Sequence, residues 1–473
     1  MSPRFIGARF IGPEKLLTIC LFALAILPTE VRGERIEDAY EPSAERGYRF
    51  LTETPVLTSD YDQETFDNVW RSWPEPLRKK AETASVEERR QMAFERYGLT
   101  TRPGDDSGKP LQYVVDSENR WTMNCFSCHG GKVYGTPTAG APNNAFGLQT
   151  MTEELRSTKF RISKPLSRMD LGSVFIPLGT THGTTNAVVF GMGLMSNRDS
   201  ELNLVNAPPQ AFTHHDMDAP PWWHFSKRPY LYIDGFAQKG HRGLMQFTLI
   251  PENGPLFFRE HEDNFRDVRA YLESLEPPKF EGSIDLSLAE RGEVIFNDNC
   301  SHCHGTYDTG GGGEWSYPSR MVAIDEIGTD PVRHRALTVE GRQIYANSWF
   351  AHAGESNEQS TLVAPEGYVA PPLDGIWASA PYFHNGSVPT LWGVLHPEER
   401  PTIWRRTNEA MNPKKVGLTI ETADRVPIEH PDPAYRRSFF DTRRFGKSNS
   451  GHDYPSVLSL DERRAVLEYL KLL

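Results

Sequence analysis

The chain is poor in cysteine. Its 473 residues hold five, and Cys20 lies in an apolar run near the amino terminus, which leaves four for the folded protein. A disulfide framework is therefore not what organises it. Positive charge is also short: 51 Lys and Arg stand against 63 Asp and Glu, a formal net charge of −12. Nucleic-acid recognition needs a basic face, so that class of partner is excluded. Long hydrophobic runs are scarce as well, and Leu16 to Leu27 is too short to span a bilayer comfortably. Gly310-Gly-Gly-Gly313 is not followed by Lys and Ser or Thr, so it is no phosphate cradle.

What is present begins with Arg4, Arg9 and Lys15 ahead of that apolar run and Val31-Arg-Gly33 behind it. This is the pattern of a secretory signal peptide over residues 1–33, cleaved near Gly33. Cys20 follows Ile19 instead of a small residue, which argues against a lipoprotein site. The mature protein is expected to be periplasmic or otherwise exported, and soluble. Gly (38) and Pro (36) are both somewhat above average usage, so extensive loops are expected.

All four remaining cysteines fall in two copies of one motif, Cys125-Phe-Ser-Cys-His129 and Cys300-Ser-His-Cys-His304, each followed by Gly. In C-x-x-C-H the thiols form thioethers to a haem, and the adjacent His coordinates the iron. One helical turn sets both sulfurs on one porphyrin edge with the imidazole beneath the metal. A zinc or redox C-x-x-C pair would explain the cysteines but not a His after both. The expectation is two covalent c-type haems, attached at Cys125, Cys128, Cys300 and Cys303, with His129 and His304 on the irons.

In chain order, residues 34–60 read as an extended polar lead-in. Residues 63–97 are richer in helix formers, with Trp70, Trp73 and Phe94 as core positions. After the first motif the pattern loosens until Asp218-Ala-Pro-Pro-Trp-Trp-His224. That segment is a rigid packing corner by default, although aromatics beside a haem also shape pockets and carry electrons. Helical spacing over 264–275 ends at Pro277-Pro278, and Ser459-Leu-Asp-Glu462 is a capping box before a last helix. Ser287-Leu-Ala-Glu290 reads as another, ahead of Gly292 and Phe296 on the helix leading into Cys300. The expected fold is mainly α with extensive loops, in two cytochrome c-like haem domains: residues 34–280 with long loop insertions, and 284–473.

Function turns on the sixth iron ligand. A second His or Met gives an electron-transfer haem, and an empty position admits peroxide or oxygen. Most of the remaining histidines are expected to be ordinary polar residues. His452, in a flexible turn before the last helix, and His384, in an apolar turn-rich segment, stand out by context.

Those two segments carry a family resemblance. Ala380-Pro-Tyr-Phe-His-Asn-Gly386 resembles a block of the bacterial di-haem cytochrome c peroxidases. The longer run Pro371 to Leu391, with Ser448-Asn-Ser-Gly-His-Asp-Tyr454, is more similar to the di-haem rubber oxygenases and their relatives. The resemblance implies that His452 is the distal ligand of the second haem, with His384 outside the ligand set. The position of the peroxidases' second-haem methionine holds Glu398, so that ligation is not reproduced. It further implies an open first haem under aromatic residues, for which Trp222, Trp223 and Phe236 are the matching candidates. A calcium ion between the domains, as in the peroxidases, is a further expectation, although no loop has ordered ligand spacing for it.

Two functional readings are open. One is a redox enzyme, peroxidase- or oxygenase-like, with an open first haem and an electron-transferring second haem. It would use a small-molecule oxidant and a small redox protein or quinol-linked electron donor or acceptor. The alternative is a pure electron carrier, with the first haem closed by His182, His224, His241, Met192, Met195 or Met217. Rubber cleavage is not implied, because relatives sharing these motifs need not share a substrate.

Overall fold

Two helix pairs organise the chain, and each closes on a glycine. The computed structural model describes residues 40–207, 212–309, 315–352 and 360–473, with backbone alone at 408 and 409. The expected signal peptide and the glycine run 310–313 lie outside the described residues. The elements that position the candidate site are α1 (Ala44–Glu53), α2 (Phe126–His129), α3 (Glu262–Glu273), α4 (Leu286–Asn299), α5 (Ser301–His304) and α6 (Leu460–Leu470). α1 packs on α3, and α4 packs on α6. A Cβ on Gly47 would stand 2.1 Å from Asp267 O, and one on Gly292 would stand 2.0 Å from Ala465 O. Each crossing therefore needs a residue without a side chain. Aromatic rings finish both contacts: Phe50 meets Phe265 edge-on at 5.6 Å, and Phe296 meets Tyr469 at 5.3 Å.

The expected lead-in is corrected by α1. Ser43 caps this helix by accepting from Arg46 N, and Gly47, Phe50 and Leu51 form its buried face. Those positions have helical spacing, but the intervening charged residues masked a stripe only three residues long. Helix α4 is capped by Asp285, which accepts from Leu288 N at 3.0 Å, and not by Ser287, which lies inside the first turn. The capping box Ser459/Glu462 opens α6 as expected. Trp73 and Phe94 are buried, whereas Trp70 only packs against the edge of their cluster.

Helices and long loops dominate, supplemented by short strands. A sheet absent from the expectation joins β1 (Ile403–Asn412), β2 (Gly417–Thr422) and β3 (Phe439–Asp441), all antiparallel, with β1 in the centre. Trp404 of β1 lies opposite Thr422 and Phe440. Pro42–Leu473 form one compact unit, and neither principal core stops at residue 280. One joins Phe50, Phe126, Trp222 and Phe265 to Leu337, Tyr345 and Phe350. The other joins Val133, Ala141 and Trp223 to Phe296, Trp377 and Tyr469.

Candidate haem sites

Each C-x-x-C-H occupies a single helical turn, α2 or α5. In both, the proximal imidazole donates from Nδ1 to a proline carbonyl: His129 to Pro220 O at 3.0 Å, and His304 to Pro371 O at 2.9 Å. A carbonyl only accepts, so the proton sits on Nδ1 and the Nε2 lone pair is left for a metal. The two acceptors stand in the same tripeptide, Ala219-Pro-Pro221 and Ala370-Pro-Pro372. Sequence reasoning missed this role, although the repeated tripeptide was its signal.

None of the four cysteines is joined in a disulfide. Burial pushes Cys125 and Cys300 up to about 11 and Cys128 up to about 12. A zinc or redox pair calls for easily formed thiolates, which these surroundings oppose. Among the described residues, no group of three or more His, Cys, Asp or Glu side chains gathers to hold a metal ion, so the expected calcium finds no such cluster.

At the second site the ring of His452 stands 6.1 Å from that of His304, centroid to centroid. An iron between two imidazoles needs about 2 Å to each nitrogen and about 1 Å from nitrogen to ring centre, or about 6 Å in all. The pair therefore fits one iron held from both sides. The loop that delivers His452 is fixed by contact: Gly451 has φ 79°, and a Cβ there would lie 2.1 Å from the carbonyl carbon of Gly328. His452 N donates to Ile327 O at 2.7 Å. Arg400 Nη1 donates to Asn449 O (2.8 Å) and Gly451 O (2.7 Å), and Asn385 Nδ2 donates to Ser448 O at 3.0 Å. The two segments behind the resemblance are thus packed on each other. Burial, reinforced by His304, holds His452 down to about 3, so its imidazole is neutral. The ring of His384 instead faces Tyr368 at 4.6 Å.

At the first site Trp222 lies nearly parallel to the imidazole of His129, at 4.8 Å and 25°. It therefore flanks the imidazole of the C-x-x-C-H turn. Trp223 turns the other way and donates from Nε1 to Asp374 O at 2.9 Å, where His224 Nε2 also bonds at 2.7 Å. The Pro-Pro-Trp-Trp corner puts consecutive aromatics on opposite sides of the chain, which a linear reading does not reveal. Phe236 is buried against Tyr345 at 4.8 Å. His241 Nε2 pairs with Glu262 at 2.9 Å, and His182 Nε2 lies 3.4 Å from Thr150 Oγ1. Met192, Met195 and Met217 are buried in the cluster that holds Phe126 and Trp222. Burial holds His129 down to about 4.

Residues 367–405 match a family model described as RoxA-like, cytochrome c-like. This supports a cytochrome c family of the rubber-oxygenase type, with haem and iron. The chain is 30% identical over 219 residues to the uncharacterized protein y4iM of Sinorhizobium fredii, which covers 42% of this chain and 48% of that protein. It is 29% identical over 260 residues to the uncharacterized protein y4iJ of the same organism, covering 42% of this chain and 41% of that one. The chain thus spans less than half the length of the curated relatives it matches. Among the described residues no helix is long and apolar enough to cross a membrane.

Proposed function

We propose that this chain is an exported di-haem c-type cytochrome in which the first haem is an open redox centre, peroxidase- or oxygenase-like, and the second transfers electrons. One asymmetry carries the reading. His304 faces His452 at a spacing that suits a single iron, whereas among the described residues His129 meets Trp222 and no histidine ring. A haem with an empty sixth position supplies an iron that can bind peroxide or oxygen, and one held by two imidazoles cycles electrons. Around the first site Phe126, Trp222 and their apolar cluster exclude water, and Pro220 holds the proximal imidazole in its ligating tautomer. Around the second, no residue of α5 is buried, which favours exchange with a small redox protein or a quinol-linked partner.

The test is an optical and EPR titration with cyanide on the oxidised and half-reduced protein, then with carbon monoxide on the reduced protein. Binding at one haem of two is the expected result. Binding at neither would favour the electron-carrier reading, for which the buried Met192, Met195 and Met217 supply ligands. His224 and His241 are less suited, since their Nε2 atoms are already hydrogen-bonded.

A further inference from the structure

Three helices and the loops beside them line a cleft of about 560 Å³ to which neither C-x-x-C-H turn contributes a residue. Glu153 and Arg156 come from the helix Leu148–Arg161, Val174 from the helix Arg168–Phe175, and Arg436 and Arg437 from the helix Pro433–Arg437. Arg444 joins them, so four guanidiniums meet one carboxylate in a chain whose formal net charge is −12. That carboxylate is occupied, since Glu153 pairs with Arg437 at 2.7 Å. The acids on the flanking segments are taken as well: Asp170 by Lys159, Asp432 by Arg96 at 2.8 Å, and Asp441 by Arg443 at 2.8 Å. Among the described residues Arg156, Arg436 and Arg444 have no carboxylate partner.

Two of these three are held in place by one nitrogen. Arg156 Nη1 donates to Asp170 O (2.7 Å) and Ser173 Oγ (2.8 Å), and Arg436 Nη1 donates to His430 O. Each keeps Nε and Nη2 for another acceptor, the edge with which a guanidinium grips a carboxylate at two points. Much of the remaining lining is apolar. Val174 and Ile428 are 61% and 74% exposed, and Pro177 and Val426 line the same cleft. Leu171 and Phe175, also exposed, share a face of their helix with Val174 at i, i+3, i+4 spacing. Exposed apolar side chains grouped in this way mark a binding surface. A cleft of one charge sign with low-dielectric walls concentrates the opposite charge.

We propose that this cleft binds an amphipathic carboxylate of the free fatty-acid type. Its head sits on Arg156 and Arg436, with Arg444 at the rim, and its chain lies along Val174 and Ile428. The volume suits a ligand of that size. This site goes beyond the redox reading and does not depend on it.

The experiment titrates the full chain by calorimetry with decanoate below its micelle-forming concentration. Decanol and acetate serve as probes of the chain and the head alone. Decanoate should bind one to one, and each of the other two at least about tenfold more weakly. Arg156→Gln combined with Arg436→Gln should weaken decanoate at least about tenfold, and so should Ile428→Asp. Thermal unfolding and haem content check that each variant is folded. If the double variant does not fold, Arg444→Gln at the exposed rim decides, with an expected loss of about threefold. Added salt should weaken decanoate and leave decanol unmoved. Decanoate binding that none of the arginine variants alters, or decanol binding as tightly as decanoate, would overturn the assignment. Capture by phosphatidylglycerol vesicles without a saturable decanoate site would assign the surface to a membrane and overturn the free carboxylate.

Discussion

The two C-x-x-C-H turns share a backbone form and a proximal Nδ1–proline bond, yet they sit in opposite surroundings. In α2, Phe126 and Ser127 are 0% and 2% exposed, and Trp222 lies against the ligand. In α5 no residue is buried, and a second histidine stands across from the ligand. The difference comes from the stretch of chain beyond each motif. After His129 the chain wraps loops and aromatics around the site before returning through α3. After His304 it spends the sheet β1–β3 and the loop near Gly451 on delivering His452. The same C-x-x-C-H turn thus has an enclosed setting once and, at its second occurrence, an open setting faced by a second histidine.

The largest test of this contrast is His452→Ala. It should convert the second haem from low-spin to high-spin and let it bind cyanide, making the two sites alike. An unchanged EPR spectrum would remove His452 from the ligand set.

The helix crossings should respond alike where the haem settings differ. A valine at Gly47 or Gly292 would put a Cβ about 2 Å from a backbone carbonyl oxygen. Each variant should lose about 3 kcal/mol, as overpacked contacts do, read by thermal unfolding of the holoprotein. A large loss for one and none for the other would show that the pairs are not equivalent.

The enclosed half should carry a pH response of its own. Burial raises Asp60 to about 7, against the lowering effect of Lys159. Between the unfolded value and this one, the folded state holds a proton that the unfolded state has released. Stability from this group is therefore full at low pH and declines as pH rises through that window. The loss should be on the order of 2 kcal/mol between about pH 5 and about pH 7. Asp60→Asn should flatten the melting temperature over that range, and an unaltered slope would show that Asp60 is not responsible.

A smaller difference separates the crossings themselves. Asp267 of α3 accepts from Ser43 N (2.7 Å) and from Arg46 Nε (2.8 Å), tying down the start of α1. Arg46 is half exposed, so Asp267→Asn should cost only about 1 kcal/mol. Protection from hydrogen exchange should fall first at residues 44–53, with α4 unaffected.

Much of the site was legible because its chemistry is local. C-x-x-C-H needs one helical turn, so its five residues stand together in the chain. His452 stood out by its turn and by the resemblance, but its approach to His304 was not legible, since the two lie far apart in sequence and a loop between glycines brings them face to face. Trp222 and Trp223 were read as a pair, and the corner separates them, one onto the first proximal ligand and one onto Asp374. Helix α1 was overlooked because its apolar stripe is short and its partner helix lies more than two hundred residues away. The sheet β1–β3 was overlooked because its strands gain their stability from pairing with one another and not from their own pattern.

The sequence alone determined the two C-x-x-C-H turns, with a histidine beside each cysteine pair, since they depend on residue type and spacing within a turn, and its composition set the acidic, cysteine-poor character. Only the tertiary structure decided that His452 faces His304 and that two prolines from repeated tripeptides orient both imidazoles. Those facts depend on distances between remote segments, which are set by how the helix pairs and loops pack and not by any stretch of chain on its own.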